Sequence, residues 1–329
     1  MDIKECGEFG LIDLIKENCI VEPKSVAVGI GDDAAVLIPT HNMLQLVSAD
    51  MLVEGVHFDL SFISPFQLGY KSLAVNLSDI AAMGGIPKHV VLSIALPKKI
   101  NVDFVKELYR GMKNIAQSFC VNIVGGDTVS THDKIVINVT VLGEVEPEKL
   151  QKRNGAKPGD FIVVTGTLGD SAAGLDILLN KKDNFDFAEP LIKAHLMPFP
   201  QVELGRIIAK YASSMNDISD GLASEAKEIA LASSVDVMLD AGKVPFSTEL
   251  LQRANFFRKT PLEYALFGGE DYQLLFTISK EKYILLQKEL SNCNIKVVGE
   301  VKQGTGNVFL KEYNGKFVNL EPKGYNHFR

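Results

Sequence analysis

Hydrophobic and polar positions repeat along the chain with two periods, one typical of helices and one typical of strands. Apolar residues at helical spacing predict helices over Leu11–Lys16, Phe66–Met83 and Val102–Phe119. The second helix contains many small residues, so one of its faces can pack closely, and the Gly84-Gly85-Ile86-Pro87 stretch should end it. Strands are predicted at Leu44–Ala49, ending at Asp50, and at Val90–Leu96, Val121–Val124 and Ile135–Val145.

A stretch rich in charge, proline and glycine, Glu146–Gly159, predicts a linker after these elements. A second set follows, with strands near Phe161–Thr165, Val235–Leu239 and Tyr272–Ile278 and helices near Ser171–Leu179, Gln201–Ala209 and Leu222–Ala232. We therefore expect an α/β (α+β) protein of two domains, residues 1–148 and 149–329. The length of 329 residues agrees, because domains average about 150 residues.

The composition argues against two classes of function, binding to nucleic acid and binding to membranes. The net charge is -7, which leaves no broad basic surface for a nucleic acid backbone. The first residues lack the apolar core of a signal peptide, and Val90–Leu96 is far shorter than the ~20 residues of a spanning helix. We expect a cytoplasmic protein without nucleic acid or membrane partners. Its four cysteines, Cys6, Cys19, Cys120 and Cys293, show no metal or disulfide spacing, which favours buried free thiols.

Aspartate recurs beside glycine or serine in five stretches that are far apart in the chain. Five stretches share this pattern: Gly31-Asp32-Asp33, Ser48-Ala49-Asp50, Leu77-Ser78-Asp79, Gly125-Gly126-Asp127 and Asp217-Ile218-Ser219-Asp220-Gly221. Small neighbours let the backbone approach a ligand closely, and carboxylates are hard oxygen donors suited to Mg²⁺ or Ca²⁺. The five together indicate a site for metal ions and phosphate.

Each stretch has a simpler explanation when taken alone. Asp79 fits a solvated helix position, Asp127 a turn, and Asp220 the N-cap of a helix starting near Leu222. Gly29–Ala34 formally fits the dinucleotide pattern G-x-G-x-x-A, but the residues that follow, Ala35–Pro39, predict a strand where that motif needs a helix. The chain also has no Walker A sequence, so a nucleotide must be held in another way, with metal ions as the obvious means.

The motifs resemble those of the thiamine-monophosphate kinase family, a branch of the superfamily named for aminoimidazole ribonucleotide synthetase. The resemblance runs nearly end to end, through Gly7-Glu8-Phe9, Gly29–Ala35, Asp50, Val53–Phe58, Asn76–Gly84, Gly125–Thr128, Arg153–Asp160, Asp217–Leu222, Gly268–Tyr272 and Lys323–Phe328. The Val53–Phe58 and Gly268–Tyr272 stretches and the terminal Lys323-Gly324-Tyr325 point to this branch in particular.

The resemblance implies transfer of the γ-phosphoryl group of ATP to thiamine monophosphate, as the last step of thiamine diphosphate biosynthesis, with several Mg²⁺ ions. It also implies a homodimer whose N-terminal mixed sheets join into a barrel, and a C-terminal α/β sandwich. The implied metal ligands are Asp33, Ser48, Ala49, Asp50, Asp79, Asp127, Asp217 and Asp220, of which Asp33, Asp50, Asp79 and Asp127 are expected to be catalytic. The implied nucleotide contacts are Tyr109, Gly126, Asp127, Arg153 and Ser219, and the implied substrate contacts are His57, Glu270 and Tyr325. Ala49 stands where many relatives carry Thr or Ser, so it can act only through its backbone carbonyl.

The residue types agree with this chemistry. Both substrates would be polyanions in a site lined with aspartates, so cations are needed. A phosphate acceptor is largely ionised at neutral pH, since its second pKa is about 6, and needs no general base. No histidine or cysteine is placed by motif to carry a phosphoryl group, and His57 is the histidine of a family motif that is expected near the site. We therefore expect direct, one-step, in-line transfer.

Two other functions use the same residues. A synthetase of the superfamily, which activates an amide or formyl oxygen with ATP, would share the aspartates but have a different acceptor pocket. A non-catalytic sensor of nucleotide or thiamine diphosphate is the alternative from another class. Several metal ligands are less necessary for binding alone, so the intact aspartates favour an enzyme.

Overall fold

The structure is a computed structural model that describes residues 10–31, 33–180, 188–253, 259–291, 293–321 and 323. Tyr325, Asp32, Cys6 and the Gly7-Glu8-Phe9 motif lie outside the described residues. The chain divides into two units, the first made of Met1–Ile80 and Gly85–Pro147, the second of Ala81–Gly84 and Glu148–Arg329. No helix in the described ranges is long and apolar enough to cross a membrane.

The first unit is built on a four-stranded mixed sheet. Its elements are α1 (10–15), β1 (Val26–Val28), β2 (Val36–Leu37), β3 (Leu44–Val53), α2 (Pro65–Ala82), β4 (Ile86–Pro97), α3 (Val102–Ser118), β5 (Asn122–Thr131) and β6 (Val136–Val145). The strand order is β3-β6-β4-β5, with β4 and β5 parallel and the other pairs antiparallel; β1 and β2 form a separate pair. Because β2 follows the glycine-rich stretch, that stretch is not a dinucleotide fingerprint, as the sequence predicted.

Helices α2 and α3 pack so closely that their backbones touch. An ideal β-carbon at Gly69 would lie 1.8 Å from the backbone oxygen of Leu108, and one at Gly111 would lie 1.9 Å from that of Phe66. Leu68, Leu73 and Leu77 are fully buried. The small residues noted in the sequence therefore do allow close packing.

Two strands extend further than the sequence predicted. β3 continues through Asp50 to Val53, and β5 continues through Gly125–Asp127 to Thr131, so both aspartates lie inside strands and not at their ends. Glycine, serine and aspartate disfavour strands locally, but ten consecutive residue pairs between β3 and β6 outweigh that preference.

The second unit is built on a seven-stranded sheet of order β13-β12-β9-β11-β7-β10-β8. Its strands are β7 (Phe161–Thr165), β8 (Ser214–Asp217), β9 (Val235–Asp240), β10 (Leu274–Ile278), β11 (Ile295–Gln303), β12 (Val308–Lys311) and β13 (Phe317–Asn319). Its helices are α4 (Asp170–Leu179), α5 (Ala188–Leu196), α6 (Val202–Ile208), α7 (Leu222–Ser233), α8 (Thr248–Arg253), α9 (Pro261–Phe267) and α10 (Lys280–Glu289).

All strand pairs of this sheet are antiparallel except β9 with β12. An apolar core packs α7 and α9 against the sheet, with Ile162, Leu222 and Leu275 among its buried members. Of the cysteines, Cys19 is buried as predicted, but Cys120 and Cys293 are exposed because they lie in the turns that follow α3 and α10.

Candidate functional site

Strand β3 and helix α2 bring Ser48, Asp50 and Asp79 together in the first unit. The Ser48 hydroxyl donates to Oδ2 of Asp79, and the Asp50 backbone N–H donates to Oδ1 of Asn76 at 3.1 Å. The Asp50 carbonyl accepts from Nδ2 of Asn138 at 3.2 Å. Because β3 is an edge strand, its outward N–H groups are available to α2. The Asp50 backbone is therefore held on both sides, independently of its carboxylate.

The carboxylates of this group repel each other. Burial, followed by the charge of Asp79, raises the pKa of Asp50 to about 6. Two carboxylates that share a small space disfavour ionisation of both, and a cation between them relieves the repulsion. The arrangement therefore favours cation binding.

Asp127 and Asp33 are exposed, and Asp127 lies on the other face of the sheet from this pair. Asp50 is in the cross-strand row with Val139, Leu92 and Gly126, whereas Asp127 is in the next row with Ser93, Asn138 and Met51. Successive rows of a sheet point to opposite faces. The first unit thus does not bring Asp127 to Asp50 and Asp79, and Asp33 lies in the β1–β2 turn.

His57 lies in a tight loop that directly follows β3. Its backbone N–H donates to the Val53 oxygen at 2.9 Å, and its Nδ1 accepts from the Val53 N–H at 3.0 Å. A neutral imidazole with Nδ1 as acceptor carries its proton on Nε2. The half-buried ring is thus a donor at Nε2.

Tyr109 is a buried residue of α3 at the edge of a cavity of about 710 Å³ in the first unit. Burial raises the pKa of the phenol, which is neutral. The wall also contains the cations Lys106, Arg110 and Lys113, and the Arg110 guanidinium lies 4.4 Å from the centre of the Phe66 ring. The cavity therefore combines apolar walls with positive charge.

In the second unit, Asp217 ends β8 and Asp220 lies in the loop before α7. Asp217 is buried, Ser219 is half-buried and Asp220 is exposed. The N-cap of α7 is Gly221 without a side-chain cap, so Asp220 is not the cap of this helix.

Glu225 organises this loop, and the sequence reasoning missed it. Its Oε1 accepts from the Asp220 N–H at 3.1 Å and from the Ser219 hydroxyl at 3.2 Å, while Oε2 accepts from Nδ2 of Asn216. Burial, then the charges of Glu228 and Asp217, raise the pKa of Glu225 to about 8. A buried acid one turn into a helix has no local motif, although its place on the buried face of α7 could have identified it.

Arg153 reaches the same network. Its Nε donates to Oδ1 of Asn216 at 3.1 Å and lies 2.9 Å from Oε2 of Glu228. The side chain is more than half exposed. The structure therefore brings Arg153, Asp217, Ser219 and Asp220 together.

A second loop, Gly268–Tyr272, is tied to the first by its backbone. The Glu270 N–H donates to the Ser219 oxygen at 2.6 Å, and the Tyr272 N–H donates to the Ile218 oxygen at 2.9 Å. Gly269 has φ +73°, and an ideal β-carbon there would lie 2.5 Å from the Ser219 oxygen, so glycine is required. Glu270 thus lies beside the aspartate loop.

The donor set fits Mg²⁺. The candidate ligands offer carboxylate, hydroxyl and carbonyl oxygen, which hard cations prefer. Among the residues that the structure describes, no three His, Cys, Asp or Glu side chains form a group that could hold a metal ion alone. Mg²⁺ usually takes one or two carboxylates and completes its shell with water and substrate phosphate, so small carboxylate groups suit it.

Comparisons with known proteins place the chain in a family. The model for "AIR synthase related protein, N-terminal domain" matches residues 31–145, and that for the C-terminal domain matches residues 157–311. A thiamine-monophosphate kinase of Bacillus subtilis (strain 168) is 42% identical over 328 residues, which cover 98% of this chain and 99% of the relative.

Two solved structures are similar over nearly their whole length. Thiamine-monophosphate kinase from Stenotrophomonas maltophilia K279a has a TM-score of 0.83 at 34% identity, covering 94% of this chain and 97% of that one. AaThiL complexed with AMPPCP and TMP has a TM-score of 0.80 at 42% identity, covering 100% and 99%. The chain therefore belongs to the AIR synthase related protein family, and within it to the thiamine-monophosphate kinases.

Proposed function

We propose that this chain transfers the γ-phosphoryl group of ATP to thiamine monophosphate, forming thiamine diphosphate and ADP. The observation that carries this function is the end-to-end similarity to AaThiL, a structure that holds AMPPCP and TMP together. AMPPCP stands in for ATP, with carbon replacing the oxygen that bridges the β- and γ-phosphorus atoms. A kinase with both substrates bound at once can transfer the group directly.

In the proposed step, the bond between the γ-phosphorus and the β–γ bridging oxygen breaks as a bond forms to a phosphate oxygen of thiamine monophosphate. The acceptor is already ionised, since the second pKa of a phosphate monoester is about 6. No side chain has to remove a proton. The protein's task is therefore to align the two phosphates and offset their repulsion.

Several Mg²⁺ ions would be held, each by residues of one unit: the first unit offers Asp33, Ser48, the Ala49 carbonyl, Asp50, Asp79 and Asp127, and the second unit offers Asp217 and Asp220. When bound, they supply the positive charge that the phosphate oxygens require. The acidic groups around Asp50 and Glu225, whose pKa values are raised, support this assignment.

The nucleotide contacts are assigned to Tyr109, Gly126, Asp127, Arg153 and Ser219. Tyr109 lies in a cavity with room for a nucleoside, and its apolar walls suit a base. The substrate contacts are assigned to His57, Glu270 and Tyr325. Glu270 offers a negative charge to the cationic thiamine ring, and His57 offers a donor at Nε2 to phosphate.

A homodimer formed through the first unit also belongs to this proposal. One face of its sheet leaves Val47, Met51 and Val129 exposed by 67%, 52% and 51%. The cross-strand rows place Asp127 on this same face. A second copy that covers it would bury the apolar side chains and enclose Asp127. A cytoplasmic location stays a prediction of the sequence.

A coupled assay of ADP release tests the function. The purified protein is given ATP, Mg²⁺ and either thiamine monophosphate or aminoimidazole precursors, and thiamine diphosphate is measured by chromatography. We expect ADP and thiamine diphosphate in equal amounts with thiamine monophosphate alone. Turnover with the precursors would favour a superfamily synthetase, and tight binding without any ADP would favour a sensor.

A further inference from the structure

Glu270 adopts a backbone conformation that few side chains adopt. Its φ is +58°, in the left-handed region, and Tyr272 two residues later has φ +48°. The hydrogen bonds from these two residues to Ser219 and Ile218 hold the loop in this form. A strained backbone conformation of this kind persists only where the surrounding structure enforces it, and such conformations are concentrated at binding sites.

The Glu270 side chain contacts a histidine that no motif predicted. Nδ1 of His195, at the end of α5, lies 3.3 Å from Oε2 of Glu270 and 3.2 Å from the Ser171 hydroxyl. The imidazole is buried, with 4% of its side chain exposed, whereas the Glu270 side chain is 29% exposed. A carboxylate only accepts, so a proton on Nδ1 can be directed towards Glu270, whereas the Ser171 hydroxyl can either accept from Nδ1 or donate to it.

The histidine is held by a rigid frame. Helices α4 and α5 approach so closely that an ideal β-carbon at Gly174 would lie 2.1 Å from the Leu191 oxygen. The carboxylate of Asp271 accepts from the Gly169 N–H at 2.8 Å, which attaches the loop to the start of α4. His195 therefore has little freedom to follow Glu270 and instead determines where Glu270 lies.

We infer that His195 is a positioning residue that orients Glu270 to recognise the cationic, amino-bearing ring of the substrate. This inference rests on the proposed function, which assigns Glu270 to that ring. With its proton on Nδ1, the buried ring attracts the Glu270 carboxylate 3.3 Å away and so fixes its rotamer. The partly exposed carboxylate then offers an acceptor and a negative charge in one place, which selects ligands with a ring cation or amino group over neutral ones.

Kinetics of His195 variants test the inference. His195→Leu removes the donor at similar volume, and should raise the KM for thiamine monophosphate about tenfold, as expected for a hydrogen bond to a charged group. The KM for ATP and kcat should stay within about twofold, because the bond serves substrate binding. His195→Asn, which keeps an amide donor near the Nδ1 position, should restore most of the affinity. The matched control is His89→Leu, a buried histidine of the first unit, which should leave the KM for thiamine monophosphate unchanged.

A double-mutant cycle separates this role from general packing. In a Glu270→Ala background, His195→Leu should cause no further rise in KM, because His195 acts through Glu270. Full additivity would overturn the inference while leaving Glu270 as a substrate contact. An unchanged KM in Glu270→Ala alone would instead overturn the assignment of Glu270, and with it the inference.

Nuclear magnetic resonance of the imidazole nitrogens gives a readout independent of activity. The chain has 6 histidines, and the signal lost in His195→Asn identifies His195. We expect a neutral ring with its proton on Nδ1, and a shift of that signal in Glu270→Ala. A proton on Nε2, or a signal that Glu270→Ala does not move, would overturn the inference even if the enzyme makes thiamine diphosphate. Absence of any thiamine diphosphate with the wild type would contradict the proposed function separately.

Discussion

The side chain of Asp50 is unfavourable for stability and, in our proposal, necessary for activity. Burial and Asp79 oppose its charge and raise its pKa to about 6. The hydrogen bonds that hold it in β3 use only its backbone. Removing the charge therefore leaves the strand intact and relieves repulsion.

We predict that Asp50→Asn lowers turnover at least ~100-fold, a size typical for loss of a transition-state charge partner, without lowering the unfolding temperature. Asp127→Asn should lose most turnover in the same way. Steady-state kinetics and thermal unfolding check both. Asp133→Asn, at an exposed turn, is the control and should match the wild type. Ordinary turnover in either site variant would show that its carboxylate is not needed for the reaction.

At the residue level, local motifs in the sequence point to the candidate aspartates but not to the groups that contact them. Asp50, Asp79, Asp217 and Ser219 carry local motifs, and the structure connects each to a neighbouring element. Asn76 and His195 act through contacts with residues distant in the chain or on another element, so no spacing rule could predict them. For Glu225, the one available signal is its place on the buried face of α7. Their roles follow only from the three-dimensional packing.

At the level of elements, the pairing of strand β5 with β4 depends on the absence of a side chain at Gly126. An ideal β-carbon there would lie 2.0 Å from the Leu92 oxygen on β4, whereas one at Gly125 meets nothing within 4 Å. We predict that Gly126→Ala lowers the free energy of unfolding by about 2 kcal/mol or more, as overpacking does. Gly125→Ala should change it by less than ~1 kcal/mol. Equal losses in urea unfolding would contradict this account of β5.

The connection between β11 and β12 depends on Asp236 of β9. Its Oδ1 accepts from the N–H groups of Thr305 and Asn307, each at 2.9 Å. Burial raises the pKa of Asp236, but these N–H groups and that of Gly306 outweigh burial and lower it overall. The folded state thus favours the ionised form.

The lowered pKa of Asp236 makes the free energy of unfolding depend on pH in a defined direction. The stability from Asp236 is present above its unfolded pKa of about 4 and is lost as pH falls through the folded pKa. We predict that Asp236→Asn costs about 1 kcal/mol at pH 7, with the difference shrinking below about pH 4. Denaturant unfolding of both proteins across pH measures this. A difference that stays constant from pH 7 to pH 3 would mean that charge plays no part.

Among the elements, long helices and central strands could be predicted from sequence, whereas the ends of strands and the shortest strands could not. Many apolar residues at helical spacing predict two long helices, Phe66–Met83 and Val102–Phe119. In the structure, both helices begin and end within one residue of these bounds. The ends of β3 and β5 depend on pairing with other strands, which no local pattern contains. The short elements β8 and β13 have too few residues for any period to emerge.

For the whole molecule, the exposed apolar face of the first unit predicts self-association. Sedimentation of the wild type should give a dimer at micromolar concentration. Met51→Lys places a charge on the face and should shift the protein towards monomer, while Ile284→Lys, an equally exposed apolar site of the second unit, should not. A wild type that sediments only as monomer would contradict the proposed interface.

The proposed reaction is a direct transfer between two bound phosphates. No described side chain is placed by motif to carry the phosphoryl group, and the acceptor phosphate is itself a competent nucleophile. The most direct test is the stereochemistry at a chiral γ-phosphorus after one turnover with thiamine monophosphate. Direct in-line transfer predicts inversion. Net retention would show two displacements through a phosphorylated enzyme, and would contradict the mechanism.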